Sequence, residues 1–576
     1  RVLHGAERRD EVLRYPNPDE AEELTGRIGW FHKLGAALGA LLLASATFAK
    51  EGDPPVVGFV GAWDRSAPLI ERASRETGIP AATYKAQELI QEPASGAADP
   101  LRGLALLYIL NLDAYEEPAL RARLVKAAQA NPRLKILSLD SRDSQAGLEK
   151  AGLLVKDEKV WKYWRANGLV NLKRLLVYTS ITYLGGKGEV EPPAMIPDYG
   201  YYLPGVEDAF TDLAAFREKS GWDPQAPVVA LLIQQSFWVT HDTKVVDAQV
   251  EALRKEGFNV VTLFGDRGGQ VLKMLTETKP DLIVEDRHGA IWEDAGPDPL
   301  KAFDVPYLRP ISMLGYTLDE WMKDPRGLSY RDVGMFMTLQ ESKGTIEPVV
   351  VGGLKASIQG FRLHEPMPER IERFAKRAAA WVNLRRKANA EKKVAIIYYH
   401  KSLGGDDLMR GSPTGAFLDA PQSLVKFLPR MKERGYQLTS LPKDVPELLG
   451  WLRDRGRNIG PWAQGDLETM ADRPDAVLIP AEHYEAWFRT RLTDAHREAL
   501  VKAFGPPPGR LMGVTRNGKK HIVIPAILLG NVLLAAQPER GEKQDEKLIH
   551  SRDVPPPHHY LAFYWWLQEE FGADAV

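Results

Sequence analysis

The chain has 576 residues, 75 Lys+Arg against 77 Asp+Glu for a net charge of −2, 44% hydrophobic and 26% charged residues, and no cysteine. That balance excludes a disordered chain, a polytopic membrane protein and a coiled coil, and it argues against nonspecific nucleic-acid binding. Without cysteine there are no disulfides, thiolate zinc sites, iron–sulfur clusters or cysteine nucleophiles, and at about 150 residues per domain the length allows three to four domains.

The first 26 residues are strongly charged, with turn signals at Pro16 and Pro18. Arg27 to Lys33 then lead into an apolar run from Leu34 to Ala49. The run is shorter than the roughly 20 residues that span a bilayer. Ala44-Ser45-Ala46, or else Thr47-Phe48-Ala49, fits a small-residue cleavage pattern, and Lys50 to Pro55 reads as a mature start. Residues 1–49 are therefore expected to be a leader: a secretory signal, or an uncleaved membrane anchor formed by residues 28–49. That favours export to the periplasm or membrane anchoring. The alternative is a buried helix ahead of the first strand.

From there one plan recurs three times: an apolar β-rich run, a loop, an amphipathic helix and a second apolar run. The runs start at Val56 to Gly61, Val228 to Ile233, and Val394 to Tyr399. Each has the length and bulk of a strand buried on both faces. In the second unit Val246, Val250 and Leu253 fall at helical spacing before a stop at Gly257, and Val260 to Leu263 follows as a strand. In the third, Leu424, Phe427, Leu428 and Met431 form the helical stripe before Gly435, and Tyr436 to Thr439 follows as a strand. Leu104 to Leu110, Leu134 to Leu139, Asp281 to Val284 and Asp475 to Ile479 extend these sheets.

Strand–helix alternation predicts an α/β chain of several Rossmann-like or flavodoxin-like parallel-sheet modules. The expected modules are 50–190, 191–390 and 391–576, parted near the Pro-rich Glu189 to Pro197 and the charged Ala388 to Lys393. Gly572 reads as a helix stop, and Ala573 to Val576 as the start of a buried strand. The third module is thus expected to be incomplete and the chain to be a piece of a longer protein. Ligands of open α/β sheets sit beyond the carboxyl ends of strands, which directs attention to the loops after Ile233 and Tyr399.

Several motifs are missing: G-x-x-x-x-G-K-[ST], G-x-G-x-x-G after a strand, G-x-S-x-G and H-E-x-x-H. Any nucleotide-driven step must then come from a partner or from sequence outside these residues.

The densest motif runs from Ile522 to Tyr564. Strand Ile522 to Ile524 ends at Pro525, Gln537-Pro538-Glu539-Arg540-Gly541 follows, and then His550-Ser551-Arg552-Asp553-Val554-Pro555-Pro556-Pro557-His558-His559-Tyr560. Three of the 12 histidines lie here, around a triple proline that fixes φ and lowers the entropy lost on binding. Neutral imidazole is a common metal ligand, and Asp553 is placed to orient it or take up protons. His550, Asp553, His558 and His559 are the expected catalytic residues, with His558 and His559 the expected metal ligands. The alternative is a helix-entry loop whose histidines cap or pack. Leu561, Tyr564, Trp565 and Leu567 are expected to form the stripe of an amphipathic helix.

These residues resemble the large subunit of cobaltochelatase (CobN) and the related H subunit of magnesium chelatase. The Q-P-x-R-G pattern at Gln537 to Gly541 and the H-S-x-D-x-P-P-P-H-x-Y pattern at His550 to Tyr560 look like that family's. So do Phe563-Tyr564-x-Trp566-Leu567, Leu418 to Leu424, Val394 to Ile397, Glu341 with Gly344, Ile346-Glu347-Pro348, and Tyr163-Trp164 with Gly168 and Asn171. The resemblance runs over about residues 160–576.

It implies a protein that binds a tetrapyrrole and takes a divalent metal (cobalt, magnesium or iron) as substrate. ATP is then used only through separate AAA+ ATPase subunits, and the partners include no nucleic acid. It makes Gln537, Arg540, Arg552, Tyr560, Asp419, Ser423 and Glu341 the expected substrate-binding residues, the arginines suiting tetrapyrrole carboxylates. The family is cytoplasmic by default, which conflicts with the leader. One alternative resolves the conflict, an exported protein that handles haem or another tetrapyrrole and removes its metal without ATP; a further alternative is a non-catalytic tetrapyrrole-binding scaffold.

The sequence departs from the family at three points. Gly200-Tyr201-Tyr202-Leu203-Pro204 has Leu where the family has His, His400-Lys401-Ser402 replaces an N-x-P segment, and the H-G-x-H-G-x-x-E-W block expected just after Val576 is not among these residues. Residues 1–576 alone are therefore expected not to insert metal.

Overall fold

Val57-Gly58-Phe59-Val60 is apolar on both faces, and burial of all four residues makes it the inner strand of a sheet. This strand, β1 (Val57–Val60), is joined by β2 (Ala81–Tyr84), β3 (Leu106–Ile109), β4 (Lys135–Ser138) and β5 (Leu154–Val155) in the order β2-β1-β3-β4-β5. All pairings are parallel. In a computed structural model the described residues are 56–62, 64–91, 99–110, 116–139, 146–265, 269–287, 303–356, 360–399, 419–540 and 554–576. The expected leader, residues 1–49, lies outside them. No described helix is long and apolar enough to cross a membrane.

The second sheet is built from β6 (Tyr199–Tyr202), β7 (Val228–Ile233), β8 (Asn259–Gly265), β9 (Leu282–Glu285), β10 (Tyr307–Thr317), β11 (Ile346–Ala356) and β12 (Arg362–Pro366). Its order is β12-β11-β10-β9-β7-β8-β6. The five inner strands run parallel, while the edge strands β6 and β12 are antiparallel to their neighbours. The helix Lys244–Lys255 lays Val246, Val250 and Leu253 on one face of this sheet, with the helix Pro368–Arg386 beside it. Tyr201, Phe216, Met274 and Leu275 cover the other face. Burying each such side chain contributes about 1.5–3 kcal/mol, so two covered faces hold the inner strands.

The third region departs from the expected parallel sheet. β13 (Val394–Tyr398) pairs in parallel with β18 (Val532–Ala536), and β17 (Ala526–Leu529) returns antiparallel on β18. The run Asp475 to Ile479 does not extend that sheet. Its strand β14 (Val477–Pro480) instead pairs antiparallel with β16 (Lys519–Ile524), next to β15 (Gly513–Arg516). The reason is local. Asn517 and Gly518 both take positive φ, the two-residue turn that folds β15 back onto β16 as a hairpin. The hairpin then supplies an antiparallel edge for β14.

Three further expectations are corrected here. Tyr436 to Thr439 is not a strand, because it meets the β17–β18 hairpin through only a few backbone bonds at Gln437 and Thr439. Phe427 is half exposed, while Leu424, Leu428 and Met431 are buried, so the core stripe of Ala420–Glu433 is narrower than expected. The helix His558–Trp566 is apolar all round and buries Ala562, Phe563 and Trp566, with Leu567 just after it. Leu561, Tyr564 and Trp565 are only partly buried, since a helix enclosed on most sides has no single stripe.

Gly572 takes left-handed φ, and Ala575 bridges Val394 in parallel, with Ala395 N donating to Ala575 O at 2.9 Å. The last residues thus touch the free edge of β13 through a single bridge, and none of Ala573 to Val576 is buried, so the expected buried strand is not formed within these residues. The β13-β18-β17 sheet carries Leu424, Leu428, Leu448 and Leu452 on one face. Its other face meets the β14-β16-β15 sheet and the helix His558–Trp566.

Candidate functional site

Parallel strands β13 and β18 end side by side at Tyr398 and Ala536, and the polypeptide leaves β18 through Gln537. Gln537 N donates to Tyr398 O at 2.9 Å, and Asn458 Nδ2 donates to Gln537 O at 2.8 Å. With its backbone pinned, the Gln537 carboxamide bonds two phenols. Its Nε2 donates to the Tyr560 hydroxyl oxygen at 2.9 Å, and the Tyr564 hydroxyl donates to its Oε1 at 2.8 Å. The two tyrosines are one helical turn apart, and their rings lie 5.2 Å apart. Arg540 holds its guanidinium 6.0 Å from the Tyr560 ring centre. Burial pushes the Tyr564 hydroxyl up to about 12, so it stays a donor at neutral pH.

His558 and His559 open the same helix, and both are buried. Their surroundings differ. The Tyr484 hydroxyl meets His558 Nδ1 at 2.7 Å, and Nε2 meets Gly505 O at 2.9 Å. A carbonyl has no proton to give, so the ring carries its hydrogen on Nε2 and accepts at Nδ1. Neither nitrogen is available to a metal while these bonds hold. Gly509 backs the ring, since a Cβ there would stand 2.8 Å from its Cδ2. His559 bonds the Glu539 backbone, while its Nδ1 is buried without a hydrogen-bond partner. Burial and the neighbouring His558 lower its pKa to about 4, so it is neutral at pH 7. Burial lowers that of His558 too.

Glu539 lies inside the Q-P-x-R-G segment but is missing from the residues singled out in the sequence. Burial pushes its carboxyl up to about 7, which makes it a group able to exchange protons near neutrality. Asn458 and Tyr484 are also absent from that set, and Tyr564 is named there only for its helix stripe and its motif. Nothing in the sequence marks Asn458 or Tyr484, which are 79 and 74 residues from their partners.

Gln537, Arg540 and Tyr560 thus come together, with His558 and His559 at the same helix start. His550, Arg552 and Asp553 lie outside the described residues. Asp419 and Ser423 are exposed, and their contacts are those of a helix N-terminus. Asp419 caps Gln422 N at 2.9 Å, and Ser423 Oγ donates to Asp419 O at 2.7 Å. Glu341 is exposed in the connection between β10 and β11. No hydrogen bond among the described residues joins these three to the Gln537 cluster. Among the described residues no group of three or more His, Asp or Glu is placed to hold a metal ion.

Comparison with known proteins supplies the context. Residues 161–576 match the family described as CobN/Magnesium Chelatase. The chain is 28% identical over 434 residues to the aerobic cobaltochelatase subunit CobN of Pseudomonas aeruginosa, covering 73% of this chain and 33% of that protein. It is 27% identical over 449 residues to the magnesium-chelatase H subunit of Chlorobaculum parvum, covering 73% and 33%. Its fold is similar to the catalytic subunit of cobaltochelatase from Mycobacterium tuberculosis, with a TM-score of 0.66 and 24% identity over 91% of this chain and 42% of that one. The chain spans about a third of the length of the curated relatives it matches.

Proposed function

The chain belongs to the CobN/magnesium chelatase family, and from that premise we propose that it is a tetrapyrrole-binding part of a metal chelatase large subunit. The observation that carries this is the Gln537, Tyr560 and Tyr564 cluster beyond the carboxyl ends of β13 and β18, where open α/β sheets hold ligands. Two adjacent phenol rings with a guanidinium beside them offer an aromatic face for a macrocycle and a cation for its carboxylates. Arg540 and Arg552 are assigned to those carboxylates. Gln537 sets the two phenols. Asp419, Ser423 and Glu341 are assigned to the ligand's periphery on family resemblance.

Insertion of a divalent metal releases two pyrrole N–H protons, so the site needs groups that take protons near pH 7. Glu539 suits that task, with His550 and Asp553 assigned to it by their motif; His559, its pKa lowered to about 4 by burial, takes up no proton at pH 7. The metal (cobalt, magnesium or iron) is substrate. Any ATP-driven step is assigned to AAA+ partner subunits on family resemblance, and these 576 residues themselves carry no P-loop motif. At the level of fold we read the first two sheets, within 50–190 and 191–390, as Rossmann-like or flavodoxin-like modules, and 391–576 as a third, mixed α/β unit.

A second reading is an exported family member that removes iron from haem without ATP. The apolar run Leu34 to Ala49 favours it. Titration with a metal-free porphyrin tests the shared core of both. The expected result is a saturable shift of the porphyrin absorbance band, and a band that stays unchanged would sink both readings. Cell fractionation then separates them, since a cytosolic protein contradicts export.

A further inference from the structure

We propose that the unit carrying the first sheet is a hinged lobe, latched onto the second sheet by Asp64 and Arg65 and pivoting at Met195-Ile196.

The hinge follows from where the connecting segment is fastened. After the helix Gly168–Tyr183, the polypeptide stays tied to the first unit. Tyr163 Oη donates to Glu191 O at 2.6 Å, and Arg174 donates to Pro192 O at 2.7 Å. The buried carboxamide of Asn171 donates to Ala194 O at 2.9 Å and accepts from Ala194 N at 2.7 Å. Two residues after Met195 the tie passes to the second unit, where Gln235 Nε2 donates to Pro197 O at 2.6 Å. Between these fastenings Met195 is 97% exposed, and Ile196 packs between the second core and Gly168 of the first unit. A rotation of one unit against the other therefore falls on the backbone of Met195 and Ile196.

The latch lies on the loop that follows β1. Asp64 accepts from the backbone N–H of Arg362 on edge strand β12 at 3.0 Å. It also pairs with Lys85, whose ammonium lies 4.5 Å from the Phe361 ring centre. Arg65 donates to Ser236 Oγ, in the short helix Gln235–Val239 that follows β7, at 3.1 Å. Burial lowers the Arg65 pKa, and Asp242 only partly offsets that cost, so opening would return a charge to water.

Besides an apolar contact of Gly168 with Ile196 and Val239, the other polar contact of the seam is weak. Arg72 and Glu207 pair at 3.0 Å while well exposed, and such pairs contribute about 0–1 kcal/mol. A cavity of about 330 Å³ separates Ala67, Pro68 and Thr83 from Phe361 and Leu363 across the seam. The latch joins the carboxyl ends of β1 and β7, each beside the point where its sheet order reverses. Opening therefore uncovers the crevices at which doubly wound sheets take ligands.

The wild-type chain carries its own control. Two outward N–H groups of β12 are each capped by a carboxylate: Arg362 by Asp64 of the first unit, and His364 by Asp242 of the second at 3.1 Å. Residue-resolved hydrogen–deuterium exchange should find the Arg362 amide at least tenfold faster than that of His364, after correction for intrinsic rates. Equal protection of the two amides would overturn the proposal, because an opening seam releases the Arg362 amide and leaves that of His364 on Asp242.

The second test uses the absence of cysteine, which lets spin labels go only where placed. With Lys156→Cys and Lys255→Cys labelled, the distance distribution should be narrow. It should gain a longer component on Asp64→Ala with Arg65→Ala. Superimposable narrow distributions in folded protein would overturn the latch. If that double variant does not fold, the exchange measurement on the wild type decides.

Discussion

The Tyr484 hydroxyl donates to Nδ1 of His558 at 2.7 Å, tying the helix Ala481–Arg491 to the entry of the helix His558–Trp566. Both groups are buried, and the Tyr484 ring also stacks on Trp565 with centres 5.7 Å apart. Removing the hydroxyl keeps the packing and leaves a buried acceptor unpaired. Tyr484→Phe should therefore cost about 1–3 kcal/mol, read as a lower denaturant midpoint at unchanged slope. A midpoint equal to wild type would mean that the bond carries no net stability.

His559 and Glu539 give opposite pH signatures. Burial sets the folded pKa of His559 at about 4, below the unfolded value near 6.5. The unfolded chain then binds the extra proton between those values, so stability falls as pH drops from about 6.5 to 4, by up to about 3 kcal/mol. Replacing His559 with Gln should flatten that part of the profile.

Glu539 has its folded pKa raised to about 7, above the unfolded value near 4.5. Its contribution is present below about 4.5 and is lost as pH rises through 7. Glu539→Gln should accordingly gain stability over wild type at pH 8, on the order of 1 kcal/mol, and none at pH 4. Chemical denaturation across pH 4–8 measures both variants. Parallel profiles for variant and wild type would contradict the assignments.

Asn171 is fully buried and bonds Ala166 O, Asn167 O and both backbone groups of Ala194. Its replacement by Leu leaves several backbone groups unpaired at the end of the first unit. The expected loss is about 2–4 kcal/mol, with faster amide exchange at Ala194. Unchanged exchange there would show that the segment is held by other contacts.

Much of the fold is legible where burial on both faces dictates composition. Val228 to Ile233 reads as a buried strand from its bulk alone, and β7 spans those six residues. The stops at Gly257 and Gly435 are equally plain, since both glycines take left-handed φ after helix ends. The third region is harder. A four-residue apolar strand such as β14 is compatible with either a parallel or an antiparallel neighbour. Asn517-Gly518, the one signal that decides between them, sits some forty residues downstream of Ile479.

The candidate site is legible in part. Gln537, Arg540 and Tyr560 are marked by motif, but Asn458 and Tyr484 owe their roles to folding that brings distant segments together. The ring nitrogens of His558 show the limit most clearly. Position beside a triple proline suggests an available ligand, whereas Tyr484 and Gly505 occupy both nitrogens.

The central claim is that the carboxyl ends of β13 and β18 hold a tetrapyrrole on the Gln537, Tyr560 and Tyr564 cluster. Equilibrium binding of a metal-free porphyrin, followed by quenching of its fluorescence, tests this most directly when wild type is compared with Gln537→Ala and Tyr560→Ala. The account predicts saturable binding to wild type and a Kd at least tenfold higher in each variant, a loss of about 1.4 kcal/mol or more. Wild-type affinity in both folded variants, or no binding by the wild type, would contradict it.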